Sequence, residues 1–284
     1  MTDPYIVVED LSFTYPDGTL ALEDISLKIY EGDFVAIIGQ NGSGKTTLVK
    51  HFNGLLKPTK GQVIVDGVDT RKSTVAELAR KVGYLFQNPD HQIFSNTIEE
   101  EIAFGPRNLG LSEDEIKERV EEALEIFELT KIRKENPIFR SKGEKTRIAL
   151  ASIVAMRPKV LILDEPTTGL DWRQSEKVMQ YVKKMHDSGH IIIFITHDMR
   201  IVAEYAKRVI VMHRGRILLE GDVRDVFAQP EILKETFLFP PQITQYAHAL
   251  KQNITDKEIP KSVLTVREML DVIQKLFAKY NIKG

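Results

Sequence analysis

The chain has 284 residues, a formal net charge of −2 at pH 7, 42% hydrophobic and 28% charged residues, and no cysteine. That length and apolar share are enough to bury the core of one large α/β domain with an appendage, or of two modest domains. The balanced charge provides no overall basic field for nucleic acid, and without cysteine there are neither disulfides nor thiolate metal sites.

In chain order, the first 30 residues alternate apolar and polar positions around Pro16-Asp17-Gly18, which predicts short antiparallel strands. Met1–Tyr5 lacks the basic start and apolar core of a secretion signal. Phe34–Ile38 reads as a buried strand running into a glycine-rich loop, then a helix over about Thr46–Leu56. Gln62–Val65, followed by Asp66-Gly67, reads as an edge strand and a turn. From about Asn88 to Met156 the pattern is mostly helical. Ser112 and Glu115 form a capping box there, and Ile116, Val120, Ala123, Leu124 and Phe127 share one helical face.

Val160–Leu163 and Ile191–Ile195 read as buried strands with a helix between them, so the β–α–β alternation predicts a parallel sheet covered on both faces. Arg208–Glu220 reads as a hairpin turning at Arg214-Gly215. Beyond Gly221, Pro240-Pro241 marks a break. Thr265 with Glu268 caps a last helix, along which Val266, Met269, Leu270, Ile273, Leu276 and Phe277 form an apolar stripe. The expected division is 1–221 and 222–284, with a helical subdomain at about 88–156. The apolar runs fall short of the ~20 residues that span a bilayer as a helix, so the chain is expected to stay inside the cell without crossing a membrane by itself.

Gly39, Gln40, Asn41, Gly42, Ser43, Gly44, Lys45 and Thr46 fit G-x-x-x-x-G-K-[ST] between a strand and a helix. Glycines let the backbone curl so that successive N–H groups meet a phosphate, and the helix adds its positive end. Lys45 would reach the outer phosphates and the Thr46 hydroxyl would ligate Mg²⁺. The bland alternative is a glycine-rich turn that binds nothing. Val160–Leu163 then ends in Asp164 and Glu165. A strand tip would hold Asp164 near Mg²⁺, and alternation along the strand would send Glu165 toward an attacking water as general base. His186 and His190 stand four apart with Gly189 between them, which makes a metal pair a poor reading.

Gly39 to Thr47, Gln87, Asp164-Glu165-Pro166, Thr168-Gly169-Leu170-Asp171 and Thr196-His197-Asp198 stand in the order and approximate spacing of ABC-family ATPases, across roughly residues 5 to 221. The resemblance implies an α/β P-loop NTPase cassette, with a parallel-sheet core, an antiparallel β subdomain and an α-helical subdomain. It implies that two cassettes sandwich two ATP molecules with Mg²⁺. Tyr15 resembles the aromatic that stacks on adenine, and Thr47 belongs to the phosphate cradle. Gln87 resembles the residue that touches Mg²⁺ and water and links the site to the membrane partner. His197 resembles the switch histidine that contacts the γ-phosphate and orients Glu165, and Asp171 the residue that communicates across the dimer.

The family signature Leu-Ser-Gly-Gly-Gln/Glu is Arg140-Ser141-Lys142-Gly143-Glu144 here. Ser141, Gly143 and Glu144 match, and the resemblance makes them contacts to the partner's nucleotide. Lys142 replaces a glycine, so a backbone with φ > 0 would be costly there, and slower hydrolysis is the expectation.

Phe86–Phe94 and Glu99–Gly110 closely resemble the ATPase subunits of energy-coupling factor importers of vitamins or cobalt/nickel, in which this segment receives a transmembrane coupling helix. A C-terminal tail of this kind resembles that family's dimerisation domain. The implied partners are a second ABC ATPase subunit, identical or not, a transmembrane coupling subunit and a substrate-binding membrane subunit. The implied place is the cytoplasmic face of the cell membrane. A conventional ABC transporter ATPase is the alternative. A soluble ABC ATPase acting on ribosomes or nucleic acid would usually carry two cassettes or a long coiled-coil insertion, and a binding-only cassette would lack Glu165 or His197.

Overall fold

The structure is a computed structural model, which describes residues 3–253, 259–260 and 262–279. Met1 and Thr2 therefore lie outside the described residues. Strands β1 (Ile6–Thr14) and β2 (Leu20–Ile29) pair in antiparallel fashion, and β3 (Phe34–Gly39) leads through the glycine loop into helix α1 (Lys45–Phe52). Next come β4 (Lys60–Val65), β5 (Val68–Asp69), α2 (Val75–Ala79) and β6 (Val82–Leu85). The helical stretch holds α3 (Ile98–Asn108), α4 (Glu113–Ile126) and α5 (Lys142–Val154). Then follow β7 (Val160–Asp164), α6 (Trp172–Asp187), β8 (Ile191–Ile195), α7 (Met199–Tyr205), β9 (Arg208–His213) and β10 (Arg216–Asp222). The tail holds α8 (Val223–Phe227), α9 (Pro230–Glu235), α10 (Gln242–Asn253) and α11 (Val266–Lys279).

A six-stranded sheet runs β10-β9-β3-β8-β7-β6, parallel except for β10, and a four-stranded antiparallel sheet runs β2-β1-β4-β5. Alternation along the buried strands divides the core in two. Phe34, Ala36 and Ile38 face α3–α6, whereas Val35 and Ile37 face α1 and the antiparallel sheet. β7 divides in the same way, Leu161 and Leu163 against Val160 and Ile162. This two-sided burial is why the sequence shows continuous apolar runs at these strands.

Three expectations need correction. Gln62–Val65 is not an edge strand: Asp66 and Gly67 turn through φ 48° and 74°, and the short β5 takes the edge. Helix α1 stops at Phe52, because Gly54 enters the left-handed region at φ 74°. The stripe on α11 is split: Met269, Val272 and Leu276 are buried, whereas Val266, Leu270 and Phe277 are exposed. The Ser112–Glu115 capping box forms, and the hairpin turns at Arg214-Gly215 with φ 47° and 78°.

Val223, Val226, Phe227 and Leu233 of α8 and α9 pack into the helical side of the main core. A separate apolar cluster forms from Ala247, Ile259, Val263, Met269, Val272 and Leu276. Among the described residues no helix is long and apolar enough to cross a membrane.

Strand β6, with neither a long apolar run nor clean alternation, is absent from the sequence prediction. A Cβ added at its Gly83 would lie 2.2 Å from Ile153 Cγ2 on α5 and 3.0 Å from Pro158 Cγ. Gly83→Ala is therefore expected to destabilise the protein by about 1–3 kcal/mol through overpacking. Urea unfolding of the two proteins measures it, and an unchanged midpoint would show that α5 yields without cost.

Candidate functional site

Strand β3 leaves the sheet at Gly39, where φ is 153° and a Cβ would sit 2.3 Å from the Met212 carbonyl oxygen. Only glycine fits so close an approach. Gly42 and Gly44 continue the curl at φ 78° and 100°. Gly44 occupies the N-cap of α1 without any side-chain cap, so the first-turn N–H groups have no side-chain acceptor and suit phosphate oxygens. Ser43 Oγ is buried without a partner among the described residues, a second polar group in the same loop that an oxyanion ligand would satisfy. Lys45 Nζ donates to the carbonyl oxygens of Gly39 (2.8 Å) and Gln40 (2.7 Å). Burial pulls its pKa down, opposed by the charges of Glu165 and Asp164.

A cleft of about 490 Å³ opens over this loop. Tyr15, Asn41, Gly42, Gly44 and residues 45–47 line one side, and Gln87, Asp164 and Glu165 line the other. Thr46 Oγ1 donates to Asp164 Oδ2 at 3.0 Å, and the Tyr84 hydroxyl donates to the same oxygen at 2.9 Å. Burial raises the Asp164 pKa, and these two bonds oppose the rise. The Tyr84 phenol is pushed up by burial and by the Asp164 charge, so it stays a donor. A hydroxyl, an amide and one carboxylate around a phosphate loop form a hard-oxygen donor set that fits Mg²⁺ retaining most of its ligand shell as water and phosphate.

Glu165 does not owe its direction to strand alternation. β7 ends at Asp164, and Glu165 itself turns left-handed at φ 50°, its amide donating to the Ile195 carbonyl oxygen at 3.0 Å. The kink turns its carboxylate toward Gln87 Nε2 (3.1 Å to Oε2) and Thr168 Oγ1 (2.7 Å), with His197 Nδ1 3.5 Å from Oε1. Left-handed backbone at a non-glycine residue costs about 1–3 kcal/mol and persists only where its surroundings fix it.

The structure does not bring Ser141, Gly143 and Glu144 to this cleft. Ser141 caps α5: Glu144 Oε2 accepts from the Ser141 N–H (3.0 Å) and hydroxyl (2.7 Å). Lys142 is the first residue of α5 and is not left-handed, so the expected strain is absent and the reason given for slower hydrolysis goes with it. Its ammonium instead reaches across to Gly169, 2.7 Å from where a Cβ there would lie. His186 Nε2 and His190 Nδ1 meet the carbonyl oxygens of Gly32 and Pro158. Tyr84 escapes a reading by motif, since it is defined by a contact across strands, and Thr168, part of a motif, shows its bond to Glu165 only once the turn is in place.

The parallel sheet, phosphate loop and acid pair define a P-loop nucleotide-binding cassette. The chain belongs to the ABC transporter family, whose pattern matches residues 22–168. It is 52% identical over 273 residues to a putative ABC transporter ATP-binding protein of Caldanaerobacter subterraneus subsp. tengcongensis, an alignment covering 96% of this chain and 46% of that one. To the same organism's energy-coupling factor transporter ATP-binding protein EcfA2 it is 45% identical over 271 residues, 93% of this chain and 94% of that one. The solved structure of cbiO1 from Clostridium perfringens, described as part of the ABC transporter complex cbiONQ, superposes with a TM-score of 0.75 at 38% identity over 88% of this chain and 99% of that one. The chain thus spans about half the length of the first relative and nearly all of the other two.

Behind the cleft, Tyr15 is anchored by its hydroxyl 3.0 Å from Thr47 Oγ1 and stacks edge-on against Phe13, which in turn meets the His51 ring. His51 is fully buried, its Nδ1 2.8 Å from the Thr47 carbonyl oxygen, and burial lowers its pKa from 6.5 to about 4. Between those values the unfolded chain binds a proton that the folded one does not, so stability falls as pH drops from about 6.5 to about 4, by about 3 kcal/mol in all. Urea unfolding across that range should show His51→Gln losing less stability on acidification than the parent. Parallel curves would place the acid sensitivity in other groups.

Proposed function

We propose that this chain is the ATP-hydrolysing subunit of a membrane importer of the energy-coupling factor type. One observation carries the chemistry: Asp164, Glu165 and Gln87 face the uncapped start of α1, which carries Thr46, across one cleft. The likeness to EcfA2 over nearly the whole of both chains supports the importer class.

In this reading Gly39–Thr47 cradle the phosphates, with Lys45 leaving its loop carbonyls for the outer phosphate oxygens, and Tyr15 offers its ring to the base. Thr46, Asp164 and Gln87 would hold Mg²⁺, which when bound neutralises charge on the phosphates. Glu165 takes the proton of the attacking water, and Gln87, Thr168 and His197 hold its carboxylate in place for that step. Ser141, Gly143 and Glu144, away from this cleft, serve the nucleotide of a second subunit, and Asp171 lies near that contact.

The membrane side falls to the segment after Gln87. Phe94 and Phe104 are both exposed and pack edge-to-face with ring centres 4.6 Å apart. Buried Glu101 fixes this pair by accepting from the amides of Phe94 (3.0 Å) and Ser95 (2.8 Å). Exposed aromatics on an anchored backbone suit the helix of a transmembrane coupling subunit. A substrate-binding membrane subunit completes the assembly, and the chain sits at the cytoplasmic face of the membrane.

Residues 222–284 act as the dimerisation domain in this reading. Val266, Leu270 and Phe277 are exposed and share a 4–3–4 spacing with half-buried Ile273, an apolar stripe beside the buried one. A second cassette subunit is the occupant of that stripe.

Two measurements test this reading. Glu165→Gln should keep ATP affinity in calorimetry while phosphate release falls by about 10²–10⁴-fold; turnover at the parent rate would remove Glu165 from the base role. Leu270→Glu should weaken self-association in sedimentation velocity by about 100-fold or more, because a charge would be buried without a partner. An unchanged dimer would move the interface elsewhere.

A further inference from the structure

We infer that Tyr84 is a positioning residue, which fixes the Asp164 carboxylate and thereby the metal bound beside it. The inference rests on the nucleotide-hydrolysing reading above.

Tyr84 lies on β6, which pairs in parallel with β7, Tyr84 beside Ile162 and Leu85 beside Leu163. That register carries its ring along the sheet, and its hydroxyl reaches Asp164 Oδ2 at the tip of the neighbouring strand, 2.9 Å away. The residue is 8% exposed and its ring packs against Phe86 at 4.9 Å, so neither end is free to swing. A phenylalanine would fill the same space; the hydroxyl is the part that packing does not require.

Asp164 Oδ2 receives two hydrogen bonds, from Tyr84 and from Thr46 Oγ1. An aspartate's terminal torsion is broad, so donors rather than sterics decide where its oxygens point. With both donors on Oδ2, Oδ1 is the oxygen left for a metal's water shell. Thr46 serves the metal in this reading, which makes Tyr84 the donor with no other duty. Charge-assisted bonds to a buried carboxylate are the strong ones, and losing one loosens the orientation.

The same strand runs on to Gln87, whose amide meets Glu165 Oε2 at 3.1 Å. One short stretch, 84–87, therefore touches both acids of the site just before the exposed Phe94 and Phe104.

The test uses the full-length protein with ADP, counting free Mn²⁺ by its paramagnetic resonance. Tyr84→Phe should leave ADP affinity in EDTA within about twofold of the parent and weaken Mn²⁺ binding to the protein–ADP complex by about tenfold, the loss of one bond to a charged group. Tyr205→Phe, which removes a comparable phenol bonded to Glu176 away from the cleft, should change neither. Unchanged Mn²⁺ affinity in Tyr84→Phe overturns the inference, as does an equal fall in EDTA. Failure of that variant to fold also overturns it, since the hydroxyl would then be a structural group. If the parent complex takes up no more Mn²⁺ than ADP alone, the nucleotide-hydrolysing reading itself fails.

Discussion

Parallel pairing of four buried strands is the constraint on which the site depends. β3, β8, β7 and β6 run side by side in one direction, so their C-terminal tips meet along one edge of the sheet. Each tip delivers a different part: the phosphate loop after Gly39, His197 after β8, Asp164 and Glu165 at β7, and Gln87 after β6. Residues scattered between positions 39 and 197 are brought to one edge by sheet register, with Asp164 level with Ile195 and Gly39 level with Met212, and the left-handed turn at Glu165 then aims its carboxylate. Ligand sites in open α/β sheets form at this edge for the same reason.

Burial then sets the electrostatics. Lys45 and Asp164 are both largely removed from water, which disfavours the charge on each; the carboxylates of Glu165 and Asp164 recover part of that cost for Lys45, and the hydrogen bonds from Tyr84 and Thr46 do so for Asp164. The cation is held by two carbonyl oxygens of its own loop, a weaker acceptor set than phosphate. A bound phosphate therefore replaces contacts the protein already makes, so its net gain is the difference between the two sets and not the whole of the new one.

What the sequence made legible follows the range of the signal. The phosphate loop and acid pair are local motifs, and strands buried on both faces announce themselves as apolar runs. The capping box at Ser112 is a spacing of three residues. Features fixed by a neighbour in space were not legible. Alternation assigned Glu165 the wrong cause, because the left-handed turn is set by its amide bonding to β8. A missing glycine at Lys142 suggests strain, while the actual backbone there is the first turn of a helix. β6 was invisible since Gly83 breaks its pattern, and that glycine exists to admit α5. The apolar spacing on α11 suggests one face, whereas the helix divides it between its own core and the outside.

The position of β6 has a mechanical consequence. It is the edge strand of the six-stranded sheet, paired with β7 as its single strand neighbour, and it leads into the segment carrying Phe94. An interior strand with neighbours on both sides resists displacement; an edge strand with one neighbour can shift with the loop it feeds. Tyr84 and Gln87 tie this stretch to Asp164 and Glu165 by one hydrogen bond each, so residues 84–87 meet both carboxylates at once. Lys145 on α5 bonds Asp90 at 2.6 Å, so the helix capped by Ser141 is joined to the same segment. The exposed aromatics are thus joined by short, named contacts to the acids through β6 and to the start of α5 through Lys145.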